Sequence, residues 1–256
     1  MSTAHELTPS GASEPASGST WRAGLEHVAP EESIYERAAR DYNHMAGIMG
    51  LGTGNWYRRQ ALRRAGLQRG MRVLDVGFGT GLLAAPAIAL IGDAALLTGI
   101  DPSSAMLRAS ALAGRVTLLQ ARAEQLPLRN TCADFVSMGY ALRHLCDAGA
   151  AFAEFHRVLR PGGRVCVLEI SKPGNALGTA TLRAYMRHWM PLASRLSGAA
   201  RHTSDVAAMW RHCWDTVEHC LAPERVMQLL REAGFEHVQH IMELGCFAQY
   251  IARKPE

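Results

Sequence analysis

Aromatic residues make up only 7% of the 256-residue chain, and no basic stripe runs among them. The Lys and Arg residues are dispersed and the formal net charge is just +4. A nucleic-acid partner would require a concentrated cationic surface, so none is expected. Six cysteines are scattered through the chain, at 132, 146, 166, 213, 220 and 246, with no CxxC pair. They read as free, mostly buried thiols of a reducing compartment. His212-Cys213 and His219-Cys220 recur seven residues apart. No third or fourth ligand stands at fitting spacing, so no metal is expected. Long apolar runs are also missing. "GLLAAPAIALIG", residues 81–92, is too short to cross a bilayer and contains Pro86. The first twenty residues have neither the basic nor the apolar segment of a secretory signal. A cytoplasmic protein is expected, one still able to touch a membrane surface to collect a lipid-like substrate.

The remaining composition is that of a globular domain: 48% hydrophobic and 20% charged residues, enough chain for one large α/β core. Residues 1–32, rich in Ser, Thr, Pro and Gly, read as a disordered tail. Residues 33–256 read as the folded domain. From "MRVLDVG" onward, short apolar strands alternate with helical patterns. "ALLTGID", "RVTLLQA", "CADFVSMGY" and "RVCVLEIS" are the next four strands. "HVQHIMEL" and "GCFAQYIARK" close the series near Gly245. Helices are expected over "GLLAAPAIAL", over "SSAMLRASALAG" ending at Gly114, over "AGAAFAEFHRVLR" closed by "PGG", and over "PERVMQLLREAGF". This alternation predicts a Rossmann-like α/β fold with a central, mostly parallel seven-stranded sheet, helices on both faces and an antiparallel last strand. Two segments lie outside it: a helical cap at 33–69 and a lid at 173–222, the latter rich in Trp, Met, His and Arg.

"VLDVGFGTG" carries the chemistry. Gly77, Gly79 and Gly81 strip Cβ atoms from one edge of the turn after the first strand, so a ligand can approach the backbone. The spacing is G-x-G-x-G, with Leu82 where the dinucleotide fingerprint has its third glycine. Alone, the pattern is equally that of a tight βα turn. Asp101 closes the second strand twenty residues after Gly81, where a carboxylate can accept both hydroxyls of a ribose. A nucleoside-containing cofactor across these two strands is the expectation.

Taken in order, "VLDVGFGTG", "GIDPSSAMLRAS", "ARAEQLPL", "DFVSMGYALRHL" and "FHRVLRPGGRVCVLEISKP" resemble the class I S-adenosylmethionine-dependent methyltransferases. Within these, the chain is most similar to the ubiquinone/menaquinone C-methyltransferases. The resemblance implies S-adenosyl-L-methionine as cofactor. It places Gly77, Gly79 and Gly81 against the amino-acid part, and Asp75 near the ammonium, directly or through water. Asp101, with Pro102 beside it, would hold the ribose, with Met106, Ala123 and Glu124 around the adenine. Gly139, Tyr140 and Tyr42 would face the methionine and sulfonium. Arg122 replaces the usual Asp of a D-A-E stretch, leaving adenine recognition to other groups. Tyr140, Arg143 and His144 are the candidate catalytic residues, Tyr140 in the wall around the sulfonium, Arg143 to hold an acceptor oxygen or water, and His144 as a base near neutral pH. Asn43, Trp56, Arg59, Trp189 and Trp210 would line a pocket for a small aromatic acceptor, prenylated or alkylated. Each has a structural counterpart: Met106 and Trp56 as core, Asp75 as a turn partner, His144 as a packed histidine, and the lid aromatics as a helical cap. Glu154 and Arg157 read as a solvated face, and Gly162 and Gly163 as turn formers. The lid departs from the quinone family's pattern before the late helix. Methylation of a quinol or phenol carbon therefore stands beside O- or N-methylation of an aromatic metabolite. A fold that binds the cofactor for another purpose and a nicotinamide dehydrogenase are the remaining readings. A homodimer is compatible with the family resemblance, but no interface is readable in the sequence.

Overall fold

Seven short strands assemble into one sheet because most of them are apolar on both faces. Val73–Val76 (β1) is buried at every position, as befits a strand covered by helices on both sides. The computed structural model describes residues 43, 46, 47, 53–196 and 203–256, the backbone alone at 203–207. The tail expected at 1–32, the first half of the cap and Tyr42 lie outside the described residues. After β1 come Leu97–Asp101 (β2), Thr117–Gln120 (β3), Ala133–Gly139 (β4), Leu159–Ile170 (β5), Glu236–Glu243 (β6) and Phe247–Arg253 (β7). Their order is β3-β2-β1-β4-β5-β7-β6. All pairings are parallel except those of β7 with β5 and with β6. The reversal of strand order between β1 and β4 opens a crevice at the carboxyl ends of β1, β2 and β4.

Helices Gly54–Arg64 (α1), Ala84–Ile91 (α2) and Ser104–Ala109 (α3) supply residues to one face of the sheet. They pack with Val73, Phe135, Cys166, Leu168 and Ile251. Ala148–Val158 (α4) and Pro223–Glu232 (α8) cover the other face, over Leu74, Val76, Val136, Val165 and Val167. The alternation of 73 with 74, and of 166 and 168 with 165 and 167, is the period of two expected of strands. Gln249 of β7 is fully buried and ties α1 to the sheet. Its amide donates to the Ala61 carbonyl at 2.7 Å and its oxygen accepts from Arg64 at 3.1 Å.

Several details differ from expectation. Pro86 sits in the first turn of α2, where its missing N–H leaves nothing unsatisfied. α3 stops at Ser110 instead of Gly114, because the Ser110 hydroxyl accepts the Leu112 N–H at 3.1 Å and turns the chain. The "PGG" after α4 is an irregularity inside β5: Leu159 pairs with Ala133 and Arg164 with Phe135. Glu154 and Arg157 are not merely a solvated face. Arg157 donates to the carbonyls of Leu126 and Leu128, and Glu154 accepts the Leu126 N–H at 2.8 Å, so together they fix the loop before β4. Of the six free thiols only Cys166 and Cys213 are buried.

The lid consists of Ala176–Ala184 (α5), a π turn at Tyr185–Trp189, Met190–Leu196 (α6) and Thr203–Glu218 (α7). Met186, Met190, Met209, Trp210, Cys213, Trp214 and Val217 form its own core against Ile170. Among the described residues, no helix is long and apolar enough to cross a membrane.

Candidate functional site

A cavity of ≈ 380 Å³ lies at the crevice. Eleven of the residues singled out from the sequence line it: Gly77, Gly79, Asp101, Pro102, Met106, Ala123, Glu124, Gly139, Tyr140, Arg143 and His144. The turn after β1 enters it with positive φ at Gly77 (69°), Gly79 (56°) and Gly81 (89°), a backbone conformation that favours glycine. The three glycines do different work. A Cβ on Gly77 would stand 2.4 Å from the Ala141 Cβ, and one on Gly81 2.9 Å from Leu112 and Phe78. A Cβ on Gly79 would meet no protein atom within 4 Å. Gly81 is thus a packing residue behind the cavity, while Gly79 is the open one.

Asp101 binds the turn to its own strand end. One carboxylate oxygen accepts the Gly79 N–H at 2.7 Å and the other accepts the Ser103 N–H at 2.9 Å. A carboxylate oxygen can accept more than one hydrogen bond. Ser103 caps α3 by accepting the Met106 N–H at 3.2 Å and also lines the cavity. Met106 is both core and wall, 4% exposed.

Asp75 stands behind the wall, fully buried in β1. One of its oxygens accepts the Ser137 hydroxyl at 2.7 Å, and the other has no hydrogen-bond partner. Burial, aided by the charge of Asp101, pushes its pKa up to about 7. A buried carboxyl in this state calls for a cation or a donor.

At the far end of the cavity, Glu124 accepts the Cys146 N–H at 2.9 Å and pairs with Arg122 at 3.6 Å. Arg122 also reaches the Cys146 sulfur at 2.8 Å. Gln120 secures the Pro102 carbonyl at 2.9 Å.

The segment after β4 forms the opposite wall. Tyr140 has φ of 61°, rare for a side chain larger than asparagine and a mark of functional sites. The Arg58 guanidinium lies 5.5 Å from its ring centroid. Arg58 is buried, and Arg59, the residue expected in the pocket, is exposed. The helical period of α1 turns Arg58, Ala61 and Leu62 inward together. Arg143 is held by a buried ion pair with Glu169 of β5, a residue the sequence did not flag. Its Nε also donates to the Thr216 hydroxyl of α7 at 3.1 Å. Arg143 therefore has a structural task, fastening the lid to the sheet. His144 stacks against His212 at 6.2 Å. Burial, then the charge of Arg143, lowers its pKa to about 2. It is a neutral imidazole throughout the physiological range, which corrects the expectation of a group titrating near pH 7.

The remaining acceptor residues are not among the described lining of this cavity, although Asn43 touches the glycine turn. Asn43 accepts a hydrogen bond from Thr80. Trp56 and Trp189 are exposed, at 66% and 58%. Trp210 is buried in the lid core, its indole donating to Ser194 at 3.1 Å. A second cavity of ≈ 640 Å³ lies between α5 and the β6–β7 turn, with Ile170, Leu182, Met186 and Phe247 among its walls. Tyr140 packs against the lid core that includes Ile170 and Met186.

Comparison with known proteins adds identity to this geometry. A family model described as the ubiE/COQ5 methyltransferase family matches residues 26–254. The ubiquinone/menaquinone biosynthesis C-methyltransferase UbiE of Syntrophotalea carbinolica is 36% identical over 212 residues, 81% of this chain and 86% of that one. Among solved structures, a SAM-dependent methyltransferase from Thermotoga maritima superposes with a TM-score of 0.60 at 21% identity, over 87% of this chain and 98% of that one. A phosphoethanolamine N-methyltransferase 2 from Haemonchus contortus, solved with phosphomonomethylethanolamine and S-adenosylhomocysteine, gives 0.62 at 17% identity, over 90% and 61%. The two structures share the fold.

Proposed function

Because the chain belongs to the ubiE/COQ5 methyltransferase family, and is an S-adenosylmethionine-dependent methyltransferase of the class I fold, we propose that it methylates a ring carbon of a quinol or phenol that carries an apolar tail. The carrying observation is the meeting of three segments in one cavity: the glycine turn after β1, Asp101 at the end of β2, and Tyr140 to His144 after β4. The residues fit the cofactor. Gly79 leaves space that a Cβ would fill, and Asp75 has a buried oxygen without a partner. Bound there, S-adenosylmethionine supplies an electrophilic methyl group on a sulfonium.

Asp101 accepts the ribose hydroxyls while keeping its bonds to the Gly79 and Ser103 N–H groups. Asp75 balances the ammonium of the methionine part. Tyr140 offers an aromatic face to the sulfonium. His144, being neutral, accepts a hydrogen bond from the acceptor hydroxyl and orients it. Arg143 positions this segment from behind through Glu169. Fixing acceptor and methyl group in line is where most of the rate enhancement arises, on the order of 7–11 kcal/mol for well-oriented reactants. A cytoplasmic enzyme working on a tailed acceptor would operate at a membrane surface.

Methyl-labelled cofactor incubated with short-chain quinols and phenols tests the reading. Label in a ring C–CH3, located by NMR, is the expected product. Label found only on oxygen or nitrogen overturns it.

The Asp75 carboxyl makes cofactor binding pH-dependent. Its pKa in the free protein is raised to about 7, and an adjacent ammonium favours the carboxylate. Binding thus releases a proton below pH 7. The dissociation constant is expected to rise roughly tenfold per pH unit as pH falls below about 7. Above about pH 8 the ligand's own amine deprotonates and affinity falls again. Calorimetry across pH checks this. In Asp75→Asn the acid limb disappears; a persisting limb would reject the assignment.

A further inference from the structure

Arg58 of α1 is 7% exposed, and its Nε is buried with no hydrogen-bond partner. Among the described residues no carboxylate pairs with its guanidinium. A charge taken out of water is ordinarily paired, because its hydration is otherwise lost without replacement. Arg143 follows that rule with Glu169. Arg58 breaks it, although the fold makes room for the group. A Cβ on Gly54, one helical turn earlier, would stand 2.7 Å from the Arg58 Nη1. In that space the guanidinium lies 5.5 Å from the ring centroid of Tyr140, which lines the cavity.

Asp75 is its counterpart of opposite sign. It is 1% exposed, and one of its oxygens has no partner. Burial raises its pKa, and the charge of Arg58 acts against that rise, so the two groups share one electrostatic neighbourhood. Yet they do not join in an ion pair. Opposite charges buried together for stability alone would be expected to touch. Held apart, they suit a ligand that carries both signs. An α-amino acid is such a ligand, with ammonium and carboxylate on one carbon. The planar fork of arginine matches the two oxygens of a carboxylate. A phenolate acceptor offers one oxygen and nothing for Asp75.

We propose that Arg58 binds the α-carboxylate of S-adenosylmethionine, and that Arg58 and Asp75 together clamp the zwitterionic end of the cofactor. The inference rests on the methyl-transfer reading of the cavity. It makes Arg58 a specificity residue, one that favours the intact cofactor over a form that has lost its carboxyl group.

Isothermal titration with S-adenosylhomocysteine, and with its decarboxylated analogue S-adenosyl-3-thiopropylamine, tests the proposal. The parent is expected to bind S-adenosylhomocysteine roughly 10- to 100-fold more tightly than the analogue. In Arg58→Met most of that preference should vanish, through weaker binding of S-adenosylhomocysteine and little change for the analogue. Arg58→Lys keeps the charge without the fork and should retain part of the preference. Because Arg58→Met removes a buried cation that has no counter-charge, its ligand-free melting temperature should equal or exceed the parent's. A parent that does not distinguish the two ligands, or an Arg58→Met that weakens both alike, overturns the proposal and leaves the methyl-transfer reading intact. A parent that binds neither ligand overturns both.

Discussion

Glu169→Ala is expected to lower the stability of the protein by about 3–5 kcal/mol, the range for breaking a buried ion pair. The carboxylate is fully buried, and Arg143 beside it is only 4% exposed. Glu169 also accepts the Arg143 N–H at 3.1 Å and the Ile170 N–H at 2.7 Å. Removing it takes the buried carboxylate from a guanidinium that is itself almost fully buried. At 2–4 °C per kcal/mol for a domain of this size, the melting temperature should fall by roughly 6–20 °C. Glu169→Gln keeps the shape and part of the hydrogen bonding, so its loss should be smaller. Arg143→Met with Glu169→Leu should recover much of the deficit, because an apolar pair needs no desolvated charge. A thermal scan in which Glu169→Ala melts within a degree of the parent would mean that this pair does not fasten the lid.

Cofactor affinity should respond most to Asp101. Two charge-assisted hydrogen bonds to ribose hydroxyls contribute about 1.5–3 kcal/mol each. Asp101→Ala is therefore expected to weaken binding by roughly two to four orders of magnitude. Loss of the 2.7 Å tie to Gly79 would add to this by loosening the turn. Gly79→Ala is the companion variant. Its methyl group would strike nothing in the protein, so the fold should survive at a cost of about 1–2 kcal/mol for the left-handed backbone. The methyl would instead occupy ligand space. Gly77→Ala and Gly81→Ala cannot serve, because their clashes with Ala141 and with Leu112 disturb packing first. Isothermal titration of both variants decides the matter: unchanged affinity would remove the cofactor from this cavity.

The sheet and the cofactor wall were legible in the sequence because their signals are local. A strand of four buried residues, glycines at alternate positions and an acid ending the next strand each lie within a few residues of one another. What depends on distant partners was not legible. Glu169 looks like any polar residue at a strand end. Its role comes from Arg143, 26 residues away, and from Thr216 on the lid, 73 residues from Arg143. Arg58 and Arg59 are neighbours of one type, and only the helical phase of α1 shows which turns inward. The lid tryptophans were ambiguous for the same reason. Trp210 and Trp214 fill the lid's own core, while Trp189 faces outward, and aromatic content alone does not tell these apart. His144 shows the converse limit: its type suggested titration near neutrality, and burial removed it.

The pairing of α1 with β7 has a consequence for biosynthesis. Ala61 and Arg64 find their partners on Gln249 and Glu243, 179 to 188 residues downstream. As the chain leaves the ribosome from its N-terminal end, α1 packs early on α2 and β1 but lacks its hydrogen-bond partners on β6 and β7 until nearly the whole polypeptide has emerged. The tie between α1 and the antiparallel edge of the sheet is consequently the last to close, so a nascent or C-terminally clipped chain would hold α1 by apolar packing alone.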